Sequence, residues 1–292
     1  MNMKRLLADA SGEDTFFRKL LSNRAALAGL IMLLVLVFIA LFAHQIAPYK
    51  PDRFVAQPYQ PPTASHLFGT DGLGRDVFSQ MVYGTSISLE VGFVSAIGIT
   101  LLGTTVGIIS GYLGRYVDEI LMRLVDVLLV IPSIAFMIFV AVILGPGLES
   151  ILLVIILFGW PPMARMIRSQ TLSLREREFV ESAVVSGAPK RYILLRLIFP
   201  NVLNLVIANG ILAVIYGIIA EVSLAFLGIA STKSYSWGTV LYNAQNEGAI
   251  YHGGLLWILA PGIFIAVTGV AITLIARAIG DITDPRYSRI GR

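Results

Sequence analysis

Residues 197–220 read LIFPNVLNLVIANGILAVIYGIIA, with no charged side chain anywhere in the run. A helix of that length rises about 36 Å at 1.5 Å per residue, enough to cross a hydrocarbon layer of roughly 30 Å. Five further charge-free stretches occur, at 25–43, 91–114, 127–148, 150–164 and 248–276. The one at 150–164 is short and ends on Pro161-Pro162. It reaches the membrane interface if Arg165 and Arg168 snorkel from the next turn. These are continuous apolar runs, not the ten-residue alternations of a β-barrel.

Composition agrees. Of 292 residues, 14% are charged, against about 25% in an ordinary soluble domain, and mean hydropathy is +0.79. Lipid is therefore the main solvent, and the fold class is an all-α polytopic membrane protein with six transmembrane helices. The absence of cysteine excludes disulfides, thiolate metal sites and cysteine nucleophiles. Three separated histidines (His44, His66, His252) leave little for a metal cage. No catalytic, cofactor-binding or metal site is expected.

With the N-terminus inside, 18 of the 22 basic residues fall on the cytoplasmic side; only Lys50, Arg53, Arg75 and Lys233 lie outside. That asymmetry places both termini in the cytoplasm of a multi-pass cell-membrane protein. The net charge of +4 then reflects topology and anionic headgroups, not nucleic acid. The first apolar run exceeds a signal-peptide core and no small-x-small site follows it, so a retained helix is expected. Phe16, Phe17, Leu20 and Leu21 among Arg18, Lys19 and Arg24 read either as an interfacial amphipathic turn or as a basic flank. The expected organisation is a cytoplasmic segment 1–24, a first span 25–46, an extracytoplasmic segment 47–84, a core 85–280 and a cytoplasmic tail 281–292.

Between the spans, Pro48, Pro51, Pro58, Pro61 and Pro62 break helix in the outer segment. Tyr235, Trp237 and Tyr242 suit an interfacial aromatic belt. On the inner side, Ser173-Leu174-Arg175-Glu176 fits a capping box. Phe179, Val180, Ala183 and Val184 then recur on one helical face, Gly187 suits a left-handed C-cap, and Pro189 suits the first turn of a following helix. A short amphipathic helix, a glycine turn and a second helix are expected there.

Those residues resemble a known family. Glu181-Ser182-Ala183, then Gly187, then Leu197-Ile198-Phe199-Pro200 are similar to the "EAA…G…I-x-L-P" pattern of ABC importer permeases, with Ser182, Leu197 and Phe199 as departures. The outer run Phe68-Gly69-Thr70-Asp71-Gly72-Leu73-Gly74-Arg75-Asp76-Val77-Phe78-Ser79 resembles the C-type permease subunit of peptide and nickel importers, with Gln80 where Arg is usual. Arg123-Leu124-Val125-Asp126, Phe226-Leu227-Gly228, Trp237-Gly238 and Asp284-Pro285-Arg286 extend the likeness along nearly the whole chain.

The resemblance implies a type I importer permease fold with the N-terminus inside. It also implies a second, homologous permease subunit, two cytoplasmic ATP-binding subunits and an extracytoplasmic solute-binding protein. The segment 165–200 becomes the coupling segment, with Phe179, Val180, Glu181, Ala183, Val184, Gly187 and Pro200 docking the ATPase. Gly69, Thr70, Asp71, Gly74, Arg75 and Asp76 form the extracytoplasmic motif. Di- or oligopeptides are the implied solute, with nickel chelates or oligosaccharides carried by close relatives.

No G-x-x-x-x-G-K-[ST] run occurs, so ATP is expected on partner subunits. Arg75 and Asp76 could pair locally or face the binding protein. Arg123 and Asp126, three apart, could pair as an anchor. Glu90 and Glu221 are expected near the outer interface, away from the costly midplane. Asn201, Asn204, Asn209 and Tyr216 could line a path or make contacts between helices. The uncharged span centres count against an ion-coupled carrier, and no span centre holds the histidine a serine nucleophile would need.

Overall fold

The computed structural model describes residues 22–229 and 235–283. The Phe16–Phe17 turn, Lys233 and the Asp284-Pro285-Arg286 match lie outside the described residues. The helices are α1 (Arg24–Leu41), α2 (Val77–Leu113), α3 (Arg115–Val130), α4 (Ser133–Leu144), α5 (Leu148–Arg175), α6 (Glu178–Val185), α7 (Phe199–Phe226), α8 (Trp237–Asn246) and α9 (Leu255–Thr283). Short helical turns at Ala43–Ile46 and Lys190–Tyr192, a π-helical turn at Ile193–Ile198 and a 3-10 turn at Ala249–His252 complete the order among the described residues. Among the described residues five helices are long and apolar enough to cross a membrane; α3 and α4 counted together would make a sixth.

That pair corrects the expectation of one span over 127–148. The two helices meet at 95°. Pro132 is the cause: its ring drives the preceding residue out of helical geometry, and Ile131 is extended at φ −72°, ψ 133°. Pro161-Pro162, by contrast, does not end a span, because α5 runs on through it to Arg175. Neighbouring helices can re-satisfy carbonyls that such prolines leave free. The second span also begins well before residue 91. Asp76 caps α2 by accepting the Ser79 N–H at 2.8 Å, so the helix starts at Val77 and rises about 55 Å.

α2 is the central strut. Gly103, Gly107 and Gly111 repeat every fourth residue and form one flat strip against α5. A Cβ at Gly107 would sit 2.6 Å from the Ala164 carbonyl oxygen and 2.8 Å from Ile167 Cβ. Small residues at this spacing let helix backbones approach where lipid supplies no hydrophobic drive. α5 answers with Met163, Ala164, Ile167, Thr171 and Leu174, all buried at helical spacing. α1 packs on α9 by the same device, since a Cβ at Gly29 would meet the Ala271 carbonyl oxygen at 2.7 Å. Outward residues such as Leu34, Phe38, Ile97 and Leu101 are exposed, as a lipid-facing surface requires.

Candidate functional site

The bundle concentrates polar chemistry at its two ends. At one end, α5 stops at Arg175 and α6 begins at Glu178. The Ser173–Glu176 capping box is not formed. Ser173 lies inside the last turns of α5, Glu176 is its C-cap, and Arg177 precedes α6 without a side-chain cap. The continuing apolar face of α5, ending on buried Leu174, carries that helix past the serine.

The C-terminus of α6 is built as expected. Gly187 takes φ +78°, the Ala188 N–H donates to the Ala183 carbonyl, and the Gly187 N–H donates to the Val184 carbonyl, both at 3.0 Å. This is a Schellman cap. No atom outside its immediate chain neighbours would touch a Cβ at Gly187, so its requirement is conformational and not one of close approach. Pro189 falls at the N-cap of the next turn, one position before the first-turn site expected of it.

The four-residue apolar face divides. Val180 is 1% exposed and packs with Leu174, Ile193, Ile198 and Val202 in the chain's own core, so it is no free anchor. Phe179 (43% exposed) and Val184 (54%) face outward, joined by Val185 (88%), which helical periodicity had not placed on that face. Glu181 is exposed beside them and Ala183 is half-buried. A cleft of about 830 Å³ adjoins α6, lined by Tyr112, Leu172, Arg175, Val184 and Lys190 among others. Pro200 opens α7 directly after the π-helical turn.

Two ion pairs fasten α3 to α5. Arg168 grips Asp118 with two hydrogen bonds of 2.5 and 2.6 Å, and Ser110 of α2 also donates to Asp118. Asp126 pairs with Arg165 at 2.5 Å, not with Arg123. Sequence spacing favoured the residue three positions away, whereas the α3–α5 crossing brings a closer partner from another helix.

At the opposite end, the segment before α2 is tied into a knot. Asp71 is wholly buried and accepts from Leu73 N–H (2.9 Å), Arg75 N–H (2.8 Å), Arg75 Nε (2.5 Å) and Gln80 Nε2 (2.7 Å). Gln80, the departure from the family pattern, thus still holds the aspartate. Asp76 takes Ser79 and His66 Nδ1 (3.0 Å). Arg75 and Asp76 therefore do not pair with each other; each has a separate partner. Thr70 bridges strand-like segments by accepting the Gln60 N–H and donating to the Gln57 carbonyl. Gly69 and Gly74 have positive φ and press against the Gln60 and Ala56 carbonyls.

The knot reaches across the fold. Glu247 accepts the Gly72 N–H at 2.7 Å, Tyr59 donates to the Glu247 carbonyl at 3.0 Å, and Tyr59 stacks on His252 with ring centroids 4.0 Å apart. Burial alone would lower the Arg75 pKa, but the adjacent Asp71 carboxylate outweighs it and the net shift is upward. Glu247 is pushed up by burial first and by the Asp71 charge second. Trp237 is fully buried within the chain: its backbone N–H donates to Ser88 and its indole N–H to Thr85. Glu221, 2% exposed, accepts from Ser236 at 2.5 Å. Asn201 and Asn209 donate to carbonyls one turn back in their own helix.

Among the described residues no group of three His, Asp or Glu is placed to hold a metal ion. Sequence reading missed Glu247, Tyr59 and His66. Nothing near them in the chain marks their partners.

Residues 103–289 match the family described as binding-protein-dependent transport system inner membrane component. Residues 14–62 match the N-terminal TM domain of oligopeptide transport permease C. A putative peptide transport system permease protein of Brucella abortus is 36% identical over 94% of this chain and 92% of its own length. The dipeptide transport system permease protein DppC of Alkalihalophilus pseudofirmus is 34% identical over 92% of this chain and 88% of its own. A chain of the MetNI methionine ABC transporter, solved in inward-facing conformations, superposes with a TM-score of 0.53 at 20% identity, covering 68% of this chain and 95% of that one. The likeness to that chain is one of fold.

Proposed function

The chain belongs to the family of binding-protein-dependent transport system inner membrane components, and from that premise we propose that it is one permease of an importer for di- or oligopeptides. It is a multi-pass membrane subunit that works with other transporter components. In this reading a second, homologous permease supplies the other wall of the path. Two cytoplasmic ATPases bind and hydrolyse ATP, and an extracytoplasmic binding protein delivers the solute. The subunit itself is non-catalytic, with both termini and α6 on the cytoplasmic side and the Asp71–Glu247 knot outside.

The peptide assignment draws on relatives whose names carry peptide or dipeptide transport at 34–37% identity. One observation supports the coupling role above the others. α6 is a rigidly capped helix whose exposed side presents Phe179, Val184 and Val185 around Glu181, the anchor-and-charge pattern of a helix that docks in a groove. Affinity purification of the tagged chain in mild detergent tests it. The second permease and the ATPases should co-purify, and Val185→Asp should release the ATPases while keeping the permease pair. Isolation of the chain with neither partner from a cell expressing the whole operon would reject the reading.

A further inference from the structure

The Asp126–Arg165 pair lies open on the surface, next to the end of the charge-free stretch of α5. Arg165 lies about 25 Å along α5 from Leu148 at 1.5 Å per residue, directly after the charge-free stretch 150–164 and so at the edge of the span's apolar length. Yet its side chain is 55% exposed and that of Asp126 is 57% exposed. The pair is a single contact, Arg165 Nη2 to Asp126 Oδ1. The neighbouring Asp118–Arg168 clamp is bidentate and more covered, and it already fastens α3 to α5. Of the two fastenings between α3 and α5, the Asp126–Arg165 pair is therefore the one freer to open.

Its surroundings are polar on one side only. Along α5 the exposed face runs Pro162, Arg165, Ser169, Gln170 and Ser173, while the opposite face is buried against α2. α7 brings exposed Asn201 and Asn204 at its near end. Between α3, α5 and α7 lies an open cleft of about 630 Å³, with Leu129, Arg165, Met166, Ser169, Gln170 and Leu205 on its walls. That volume falls within the roughly 300–1,000 Å³ range of small-molecule sites. Exposed charges at the edge of a span face water or a bundle interior, not lipid.

We propose that this cleft is the chain's own wall of the translocation path, and that Asp126 and Arg165 part to take the ammonium and carboxylate ends of a passing peptide. A zwitterion suits an ion pair because it replaces both partners at once. Neither side chain is left as an uncompensated charge during the exchange, and the guanidinium offers a carboxylate a second hydrogen bond that Asp126 does not use. The proposal rests on the peptide-importer reading above.

The test uses the complete transporter in proteoliposomes. This chain contains no cysteine, so Ser169→Cys gives it one thiol in the cleft, read on this chain alone. A membrane-impermeant maleimide should label that thiol, and saturating dialanine during turnover should slow the labelling. Arg165→Gln and Asp126→Asn should each lower dialanine uptake about tenfold or more, as loss of a charge-assisted hydrogen bond implies. The complex should assemble normally, and Arg165→Lys should recover part of the loss. Arg165→Gln should affect C-terminally amidated dialanine less than the free peptide.

Labelling of Ser169→Cys only by a lipid-soluble maleimide, or by none, would overturn the path assignment. Wild-type uptake by both charge variants, or loss of complex assembly in them, would overturn the role of the pair. Should the wild-type complex move no dialanine, the peptide reading falls; a Ser169→Cys labelling rate that still changes with ATP turnover keeps the path assignment, and a rate indifferent to turnover overturns it.

Discussion

The Glu247 carboxylate accepts the Gly72 N–H at 2.7 Å, closing a contact between positions 175 residues apart. Through it, and through Tyr59 on the Glu247 carbonyl, the proline-rich segment before α2 is tied to the end of α8. Glu247→Ala should free residues 50–76, read as faster amide exchange there with little change in α2 and α5. Exchange in that segment unchanged by the substitution would show that the Asp71 and Asp76 networks hold it alone.

The same group sets a pH dependence. Burial first, then the Asp71 charge, raise the Glu247 pKa above its ordinary 4.5, so the native state binds this proton more tightly than the unfolded chain. The stabilisation it contributes is complete below that ordinary value and is lost as pH rises through the raised folded value. Protection of residues 50–76 should therefore increase from neutral pH down towards about 4.5, and Glu247→Gln should flatten that increase. A parent and variant with identical pH profiles would contradict the assignment.

The strip formed by Gly103, Gly107 and Gly111 predicts a packing failure. Gly107→Leu must displace α5 backbone at Ala164, not merely rotate a side chain. Overpacking of this kind costs about 1–3 kcal/mol. Thermal unfolding of the purified protein in detergent should show a lowered midpoint and reduced membrane yield. Gly262→Leu, where a Cβ would meet nothing within 4 Å, is the control expected to leave both nearly unchanged.

Within α6, the residues that hold the fold and those that face outward are different. Gly187→Val forces a β-branched residue into φ +78°, at a cost of roughly 1–2 kcal/mol, whereas Gly187→Asn should be tolerated. Val180→Asp should lower membrane abundance, because the side chain lies in the chain's own core. Val185→Asp and Phe179→Ala should leave abundance intact and abolish uptake. Equal abundance for Val180→Asp and Val185→Asp would refute this division.

Orientation has its own check. Ser65 and Ser186 lie near opposite ends of the bundle, and the cysteine-free chain permits single cysteines at each. Intact cells treated with an impermeant thiol reagent should label Ser65→Cys and spare Ser186→Cys. Labelling in the reverse pattern would invert the topology.

What the sequence revealed followed local rules. Charge-free runs located the five unbroken spans but not the bent pair at 127–148, and Gly187 announced the cap of α6. The α2–α5 glycine strip was also there to be read, at four-residue spacing within an apolar run. Pro132 was a legible break as well, and the 95° turn between α3 and α4 is its consequence. What stayed hidden depended on helices meeting. Asp126 chose Arg165 over Arg123 because of a crossing, and Glu247 and Tyr59 found partners far along the chain. Val180 and Val185 exchanged roles because periodicity identifies a face without saying what will cover it. Arg75 and Asp76 sit side by side yet bond elsewhere, since adjacent side chains in an extended segment point apart.

The most direct measurement is uptake by the complete transporter. The chain, its partner permease, the ATPases and the binding protein would be reconstituted in proteoliposomes with labelled dialanine outside. The account predicts accumulation that requires ATP on the α6 side and binding protein on the side of the Asp71–Glu247 knot, and that disappears with Val185→Asp in this chain. Accumulation independent of ATP, or undiminished by that substitution in a fully assembled complex, would contradict it.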